Sequence, residues 1–457
     1  MIDLEDPELE KKVLGKKVLF EDFAERVLEL ASRRAQQAEV YAASSEGTPV
    51  SFKANQPQEI RTAVDRVLTL RVIAKGHIGL ASTTRLDDPQ ALVNDAMALA
   101  PFGSKAHFNL PAKSPKDDVP SYDPGIAELS LQRLVEIGQN VISQVVAYNP
   151  DIVCSGEIEK RVARIDILNT RGCRASLHKT YLLLNLQASL IREDDAVVIL
   201  ESDASGRQPL DCAGMVERVV TRFELARRSV EVATGQMPVI FTPKGMTYTL
   251  LPLLQNAFSG EKVLQGLSPL AGCLGDEVAD ARFYLYDDGR VPYSPKTYSC
   301  DGEGVPMQRT PLLEKGVVKN FYYDLQTAAL AGAKSTGNAY RLTGQRSSPS
   351  PAAAVVAEGE TSYEQMPTDV QDGIMVDQTL GAWAGNVEGG DFAAQVHLGY
   401  KIEQGEIVGR VRNAVISGNV FDALSNLAAI GDEAVWVAGS SKMPYLCFRS
   451  LTVAGVE

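Results

Sequence analysis

Beyond Gly235-Gln236-Met237-Pro238 the chain is written as short apolar segments separated by Gly-rich turns, and this constrains the fold more than any other feature. Phe283-Tyr284-Leu285-Tyr286 runs into Asp287-Asp288-Gly289, and Val396 to Ile402 turns at Glu403-Gln404-Gly405 into Ile407-Val408. β-Branched and aromatic residues bounded by turn formers specify strands, and successive strands joined by tight turns pair antiparallel. Residues 235–457 are therefore expected to form a mostly antiparallel β domain with a few helices.

The upstream half alternates helical and strand patterns. Phe20, Phe23, Val27, Leu30 and Ala31 recur at helical spacing and predict an amphipathic helix from Phe20 to about Gln36. Strands are expected over 39–42, 50–53 and 66–73, with Lys75-Gly76-His77 turning a hairpin into Ile78-Gly79-Leu80-Ala81. Asp88-Pro89 opens a helix through Leu99, Asp as cap and Pro at the first helical position. Four prolines between Leu110 and Gly125 mark a linker or surface-hugging excursion. A second unit follows, with helical stripes at Leu131–Val145 and Met215–Ala226 flanking antiparallel strands over about 152–202 that turn at Asn169-Thr170-Arg171-Gly172. The class is α+β, in three units: 1–110, 111–234 and 235–457.

A chain of 457 residues with 45% hydrophobic content can build a large core, and its net charge of -13 argues against nucleic acid as the main partner, since phosphate binding needs clustered Lys and Arg. Six scattered cysteines without a Cys-x-x-Cys pattern point to free thiols in a reducing compartment. The first residues contain no apolar signal region and no stretch reaches the ~20 apolar residues of a membrane helix, so a cytoplasmic protein is expected.

Few residues announce chemistry. His77, His107, His178 and His397 stand far apart in sequence, so each is read as a surface or satisfied side chain. Residues 332–339 imitate a phosphate loop, but Asn338 stands where Lys is required and Ala339 where Ser or Thr would hold magnesium; a Gly-Asn turn after a helix over 325–331 is the better reading. Asp287-Asp288, Asp276-Glu277 and Asp194-Asp195 are read as solvated turns. Asp301 and Glu303, two apart, would share a face of an extended chain and could project together into a cleft, although a structural turn is the favoured reading.

Two motifs, Asp301-Gly302-Glu303-Gly304-Val305-Pro306 and Ser335-Thr336-Gly337-Asn338-Ala339-Tyr340-Arg341, in this order and at this separation, resemble the C-terminal half of the TldD/PmbA family, often labelled modulators of DNA gyrase. The resemblance extends over nearly the whole chain. It implies a two-part peptidase, whose TldD-like branch carries His-Glu-x-x-x-His on a helix and a Cys near its C-terminus, and whose PmbA/TldE-like branch lacks that motif. Aligned on Gly260-Glu261, this chain places Leu251, Pro252 and Asn256 at the His, Glu and His positions. None suits zinc hydrolysis, which needs imidazoles for the ion and a carboxylate for the water proton. No Cys lies between Phe421 and Leu446, and Cys447 falls inside the closing strand.

The resemblance thus implies a pseudoenzyme, with no metal or other cofactor of its own and no catalytic residues. It is expected to be inactive unless paired with a TldD-like subunit that holds zinc and cuts unfolded or modified peptides. Asp301, Glu303, Asn338 and Arg341 are the candidate cleft or peptide-contact residues. Two other readings stay open: a metallopeptidase acting alone through an unrecognised site, and a stand-alone peptide-binding homodimer.

Overall fold

The computed structural model of the chain describes residues 7–116, 119–192, 195–342, 344–382 and 384–455. Among these, seven strands make a first sheet: β1 (Gln37–Lys53), β2 (Gln56–Ile60), β3 (Ala63–Ala74), β4 (His77–Thr83), β5 (Val153–Asn169), β6 (Arg174–Ile191) and β7 (Ala196–Ser205). They run in the antiparallel order β4-β3-β1-β5-β6-β7, with β2 folded onto β1. β1 and β5 pair from Glu39↔Asn169 to Phe52↔Gly156, so residues 1–110 and 111–234 share one sheet. The segments expected at 39–42 and 50–53 are two ends of one strand, because the polar stretch between them is paired on both sides.

The first helix, Pro7–Ser32, ends before Gln36, whose N–H already bonds the Ile73 carbonyl at 2.8 Å in sheet fashion. Its Phe23, Val27 and Ala31 pack with Val93 and Ala96 of the helix Pro89–Leu99 over Val40, Leu70 and Val72. Asp88 caps that second helix by accepting the Ala91 N–H at 2.8 Å. On the other half of the sheet lie the helices Leu131–Tyr148 and Cys212–Leu225, capped by Ser130 and Asp211. Leu134, Val141, Ile142 and Val145 are buried there, each contributing about 2 kcal/mol by leaving water. The same core runs on through Ile158, Leu184 and Ile199 to Met375, Leu398 and Tyr400 of the second sheet, so one apolar layer joins the halves.

That second sheet has twelve strands among the described residues: β8 (Ser229–Val230), β9 (Gly235–Phe241), β10 (Leu285–Asp288), β11 (Arg309–Glu314), β12 (Val317–Val318) and, past a small ribbon of β13 (Ala339–Tyr340) and β14 (Ser348–Pro349), β15 (Ala354–Val356), β16 (Asp372–Leu380), β17 (Asp391–Glu403), β18 (Glu406–Val411), β19 (Ala414–Asn419), β20 (Leu427–Val437) and β21 (Ser441–Gly455). Most pairs are antiparallel; β9–β16, β15–β21 and β8–β18 are parallel. The β17–β18 hairpin turns at Gln404 and Gly405, both at positive φ, where the sequence places it. The architecture is α+β.

The proline-rich excursion hugs the surface. Asn169 donates to the Pro111 carbonyl (2.9 Å), Arg174 N–H to Ser114 (3.0 Å) and Tyr293 N–H to the Pro120 carbonyl (2.7 Å), so the segment straps β5 and β6 to the second half. No described helix is long and apolar enough to cross a membrane.

Candidate functional site

The two sequence motifs meet in a buried ionic cluster between the sheets. Glu39 on β1 and Arg71 on β3 are directly paired cross-strand neighbours, and Arg71 Nη2 donates to Glu39 Oε2 at 3.1 Å. Arg71 Nη1 reaches Glu303 Oε1 at 2.5 Å, and Glu303 also accepts from Ser347 Oγ (2.6 Å) and the Leu325 N–H (2.8 Å). Arg341 closes the chain by donating to Glu39 Oε1. Glu303 is fully buried, and burial alone would raise its pKa; the Arg71 charge, with Arg341 and its hydrogen bonds, outweighs this and holds it below the ordinary carboxylate value.

Asp301 does a different job. Residues 301–304 form a turn with Gly304 at φ +78°, so Asp301 and Glu303 do not share the face an extended chain would give them. Asp301 Oδ1 accepts the N–H groups of Glu303 (2.9 Å) and Val305 (3.0 Å), and Oδ2 accepts that of Ala339 (2.9 Å), which ties the first motif to the second. Burial and the adjacent Glu303 charge push its pKa up to about 8 against those three donors. Gly337, at φ +72°, brings its backbone so near Pro306 that a Cβ would sit 2.4 Å from the carbonyl oxygen, and this close approach aims Asn338 inward. Asn338 Nδ2 donates to Asp287 Oδ2 (2.5 Å) and the Ser350 carbonyl (3.1 Å), while its Oδ1 is buried without a partner. The solvated-turn reading of Asp287 is corrected: it is 1% exposed on β10, because Asn338 and the Ala352 N–H supply the hydrogen bonds that water would. Burial pushes Asp287 up to about 7. Asp195 is half-buried and pairs with Arg410 and Ser229, Asp194 lies outside the described residues, and Asp276 and Glu277 are exposed as expected.

Beside this cluster lies a cavity of about 450 Å³ that takes Asp301, Asn338 and Arg341 among its walls but not Glu303, which faces Arg71 instead. Tyr41, Tyr181, Tyr298 and Tyr340 also line it, as do Arg161 and Lys296. A second cavity, of about 620 Å³, lies between β5–β7 and the segments 244–248 and 378–382. Odd-numbered residues of β5 line both, Ser155 in the second and Arg161, Ala163 and Ile165 in the first; strand periodicity puts them on one face of the sheet.

The positions of the degenerate motif offer no metal site. A first helix, Pro243–Thr249, breaks at Leu250, and a second spans Leu251–Ala257; Pro252 sits in its first turn and has no N–H to continue the earlier helix. Leu251 is buried in the apolar core, and Asn256 carries a buried Nδ2 without a partner. These side chains do not fit a zinc ion. Cys447, on β21, is buried between β9 and β20, and burial raises its pKa to about 11. Among the described residues no three His, Cys, Asp or Glu side chains group as metal ligands.

A further charged cluster, unread in the sequence, lies below the larger cavity. Arg222 forks onto Asp377 (Nε–Oδ2 2.7 Å, Nη2–Oδ1 3.1 Å) and pairs with Glu201 at 2.9 Å; Lys244 reaches Glu201 at 3.1 Å, and Thr242 donates to Asp377 at 3.0 Å. The Arg222 charge holds the fully buried Asp377 below its ordinary value. Arg222 stands at the edge of the apolar stripe of its helix, one heptad after Met215, and only a tertiary partner from β16 reveals its role.

Comparison with known proteins places the chain among relatives of one family. Residues 234–455 match the family described as the PmbA/TldA metallopeptidase C-terminal domain, and residues 38–100 match its domain 1. An uncharacterised protein of Methanocaldococcus jannaschii is 26% identical over 89% of this chain and 94% of its own length. A protein of Escherichia coli O157:H7 named metalloprotease PmbA is 22% identical over 92% and 93%. The crystal structure of TldE from Thermococcus kodakarensis superposes with a TM-score of 0.84 at 25% identity, covering 95% of this chain and all of that one.

Proposed function

The chain belongs to the TldD/PmbA family, and from that premise we propose that it is the non-catalytic subunit of a two-part zinc metallopeptidase. Its partner is a TldD-like chain that carries His-Glu-x-x-x-His and holds the zinc; the complex cuts unfolded or modified peptides in the cytoplasm. The observation that carries this reading is the helix pair 243–257, in which a buried Leu251, a helix-opening Pro252 and an amide at Asn256 stand where ligands and base would be needed. The likeness to a structure titled TldE supports the same branch. What such a subunit supplies is shape: walls for a chamber, and a sheet face along which an extended peptide lies through backbone contacts.

Co-expression with a TldD-like chain tests the pairing. A stable heteromer is expected, with an interface above ~2,000 Å² as in obligate assemblies. A chain that stays monomeric and ignores that partner would remove the basis of the proposal.

A further inference from the structure

The cavity beside the ionic cluster is chemically unlike the rest of the molecule. In a chain of net charge -13 its walls carry three cations, Arg161, Lys296 and Arg341, and one carboxylate, Asp301. Both Asp301 oxygens are turned to backbone N–H groups. Arg161 is paired with Glu159 and Arg341 with Glu39, whereas Lys296 makes no ion pair within 4 Å among the described residues and feels the buried Asp287 charge only at longer range.

Unmet hydrogen-bonding capacity gathers in the same place. Arg341 is 6% exposed, and its Nε and Nη1 have no acceptor; Asn338 is 3% exposed, and its Oδ1 has no donor. An occupant that brings an acceptor to Arg341 and a donor to Asn338 satisfies groups that the protein itself leaves unpaired. Apart from Ser350, the remaining wall is apolar or aromatic, with Ile165, Leu177 and Met307 beside the four tyrosines. At about 450 Å³ the volume falls in the ~300–1,000 Å³ range of small-molecule sites.

We infer that this cavity is a carboxylate-recognition site, which takes an anionic carboxyl group on an apolar or aromatic body, with Lys296 and Arg341 as its cationic partners. Two sources carry that chemistry: the C-terminus of a short peptide and a free aryl- or alkyl-carboxylic acid. The site needs neither a metal nor the partner subunit, so its test stands apart from the pairing proposal.

Titration calorimetry on the purified full chain decides it, with Ala-Ala-Phe, the same tripeptide as its C-terminal amide, and 3-phenylpropionate as probes. The tripeptide acid is expected to bind at least about tenfold more tightly than the amide, the scale of one charge-assisted contact. Lys296→Ala should remove most of that difference and Lys296→Arg should retain it, with the melting temperature of each variant, measured alongside, showing that the chain stays folded. If 3-phenylpropionate binds as tightly as the tripeptide acid, the free acid is the ligand class; if it binds much more weakly, the peptide C-terminus is. Equal affinity for acid and amide, no binding by either acid, or an acid preference untouched by Lys296→Ala would overturn the inference.

Discussion

Arg71 and Glu303 stand 232 residues apart in sequence yet share a 2.5 Å ion pair with no solvent around it. The pair fastens the first sheet to the Asp301–Pro306 turn. Because Glu39 and Arg341 extend it, the cluster is a chain of two cations and two anions, and each charge is compensated only while all four remain.

Removing one member leaves the others buried and unpaired. Glu303→Ala is therefore expected to destabilise the protein by about 3–5 kcal/mol in urea unfolding. The pH dependence follows from the direction of its shift. The folded-state pKa of Glu303 lies below the ordinary 4.5, so its stabilisation is fully present above that value and is lost as pH falls through the folded one. Glu303→Gln should start from lower stability and lose less of it between pH 5 and 3. A change below 1 kcal/mol for Glu303→Ala would show that the cluster does not join the halves.

Asp287 shows the opposite sign. Its pKa is raised from 3.8 to about 7, so its contribution is complete below 3.8 and is lost as pH rises through about 7. Asp287→Asn removes that loss, and the Asn338 amide can turn its unpartnered Oδ1 toward the new donor. The wild-type melting temperature should fall relative to the variant between pH 5 and 8. Parallel curves would mean that Asp287 ionises as it would in water.

Arg222 joins Asp377 of the second sheet to Glu201 of the first. Arg222→Ala should cost about 3–5 kcal/mol and separate the unfolding of residues 37–225 from that of 229–455, visible as two calorimetric transitions. A single transition at the original temperature would refute this.

Local rules were legible in the sequence wherever a cap or turn residue settles the backbone by itself. Asp88-Pro89 opens its helix, Gly76 turns its hairpin, and Gln404-Gly405 turns β17 into β18. What stayed hidden depends on partners far along the chain. Ser44 to Gly47 read as a break between two strands, and only pairing on both sides makes them part of β1. Asp287 looked like a solvated turn because its amide partner, Asn338, comes from another motif. Glu303 and Asp301 were picked out together, yet the turn over 301–304, in which Asp301 Oδ1 accepts the Glu303 N–H, sends them to separate tasks. Arg341 and Asn338 were named as contact candidates for their motif alone; the cavity they line exists only because β5 and β6 bring Arg161 and Tyr181 to face them.

Installing Leu251→His, Pro252→Glu and Asn256→His together should yield neither zinc binding nor peptidase activity. Positions five apart on a regular helix differ by about 140° around its axis, and Leu251 points into the core, so a histidine there should instead destabilise the protein by about 2–5 kcal/mol. One zinc held per chain by the triple variant would show that the scaffold keeps a metal geometry.

The central claim, that this chain lends shape while its partner supplies the zinc, is tested most directly by assaying peptide cleavage and zinc content for this chain alone, a TldD-like chain alone, and the two together. The account predicts no zinc and no cleavage from this chain alone, and chelator-sensitive cleavage from the pair with zinc only in the partner. One zinc per chain and chelator-sensitive cleavage by this chain alone would contradict it.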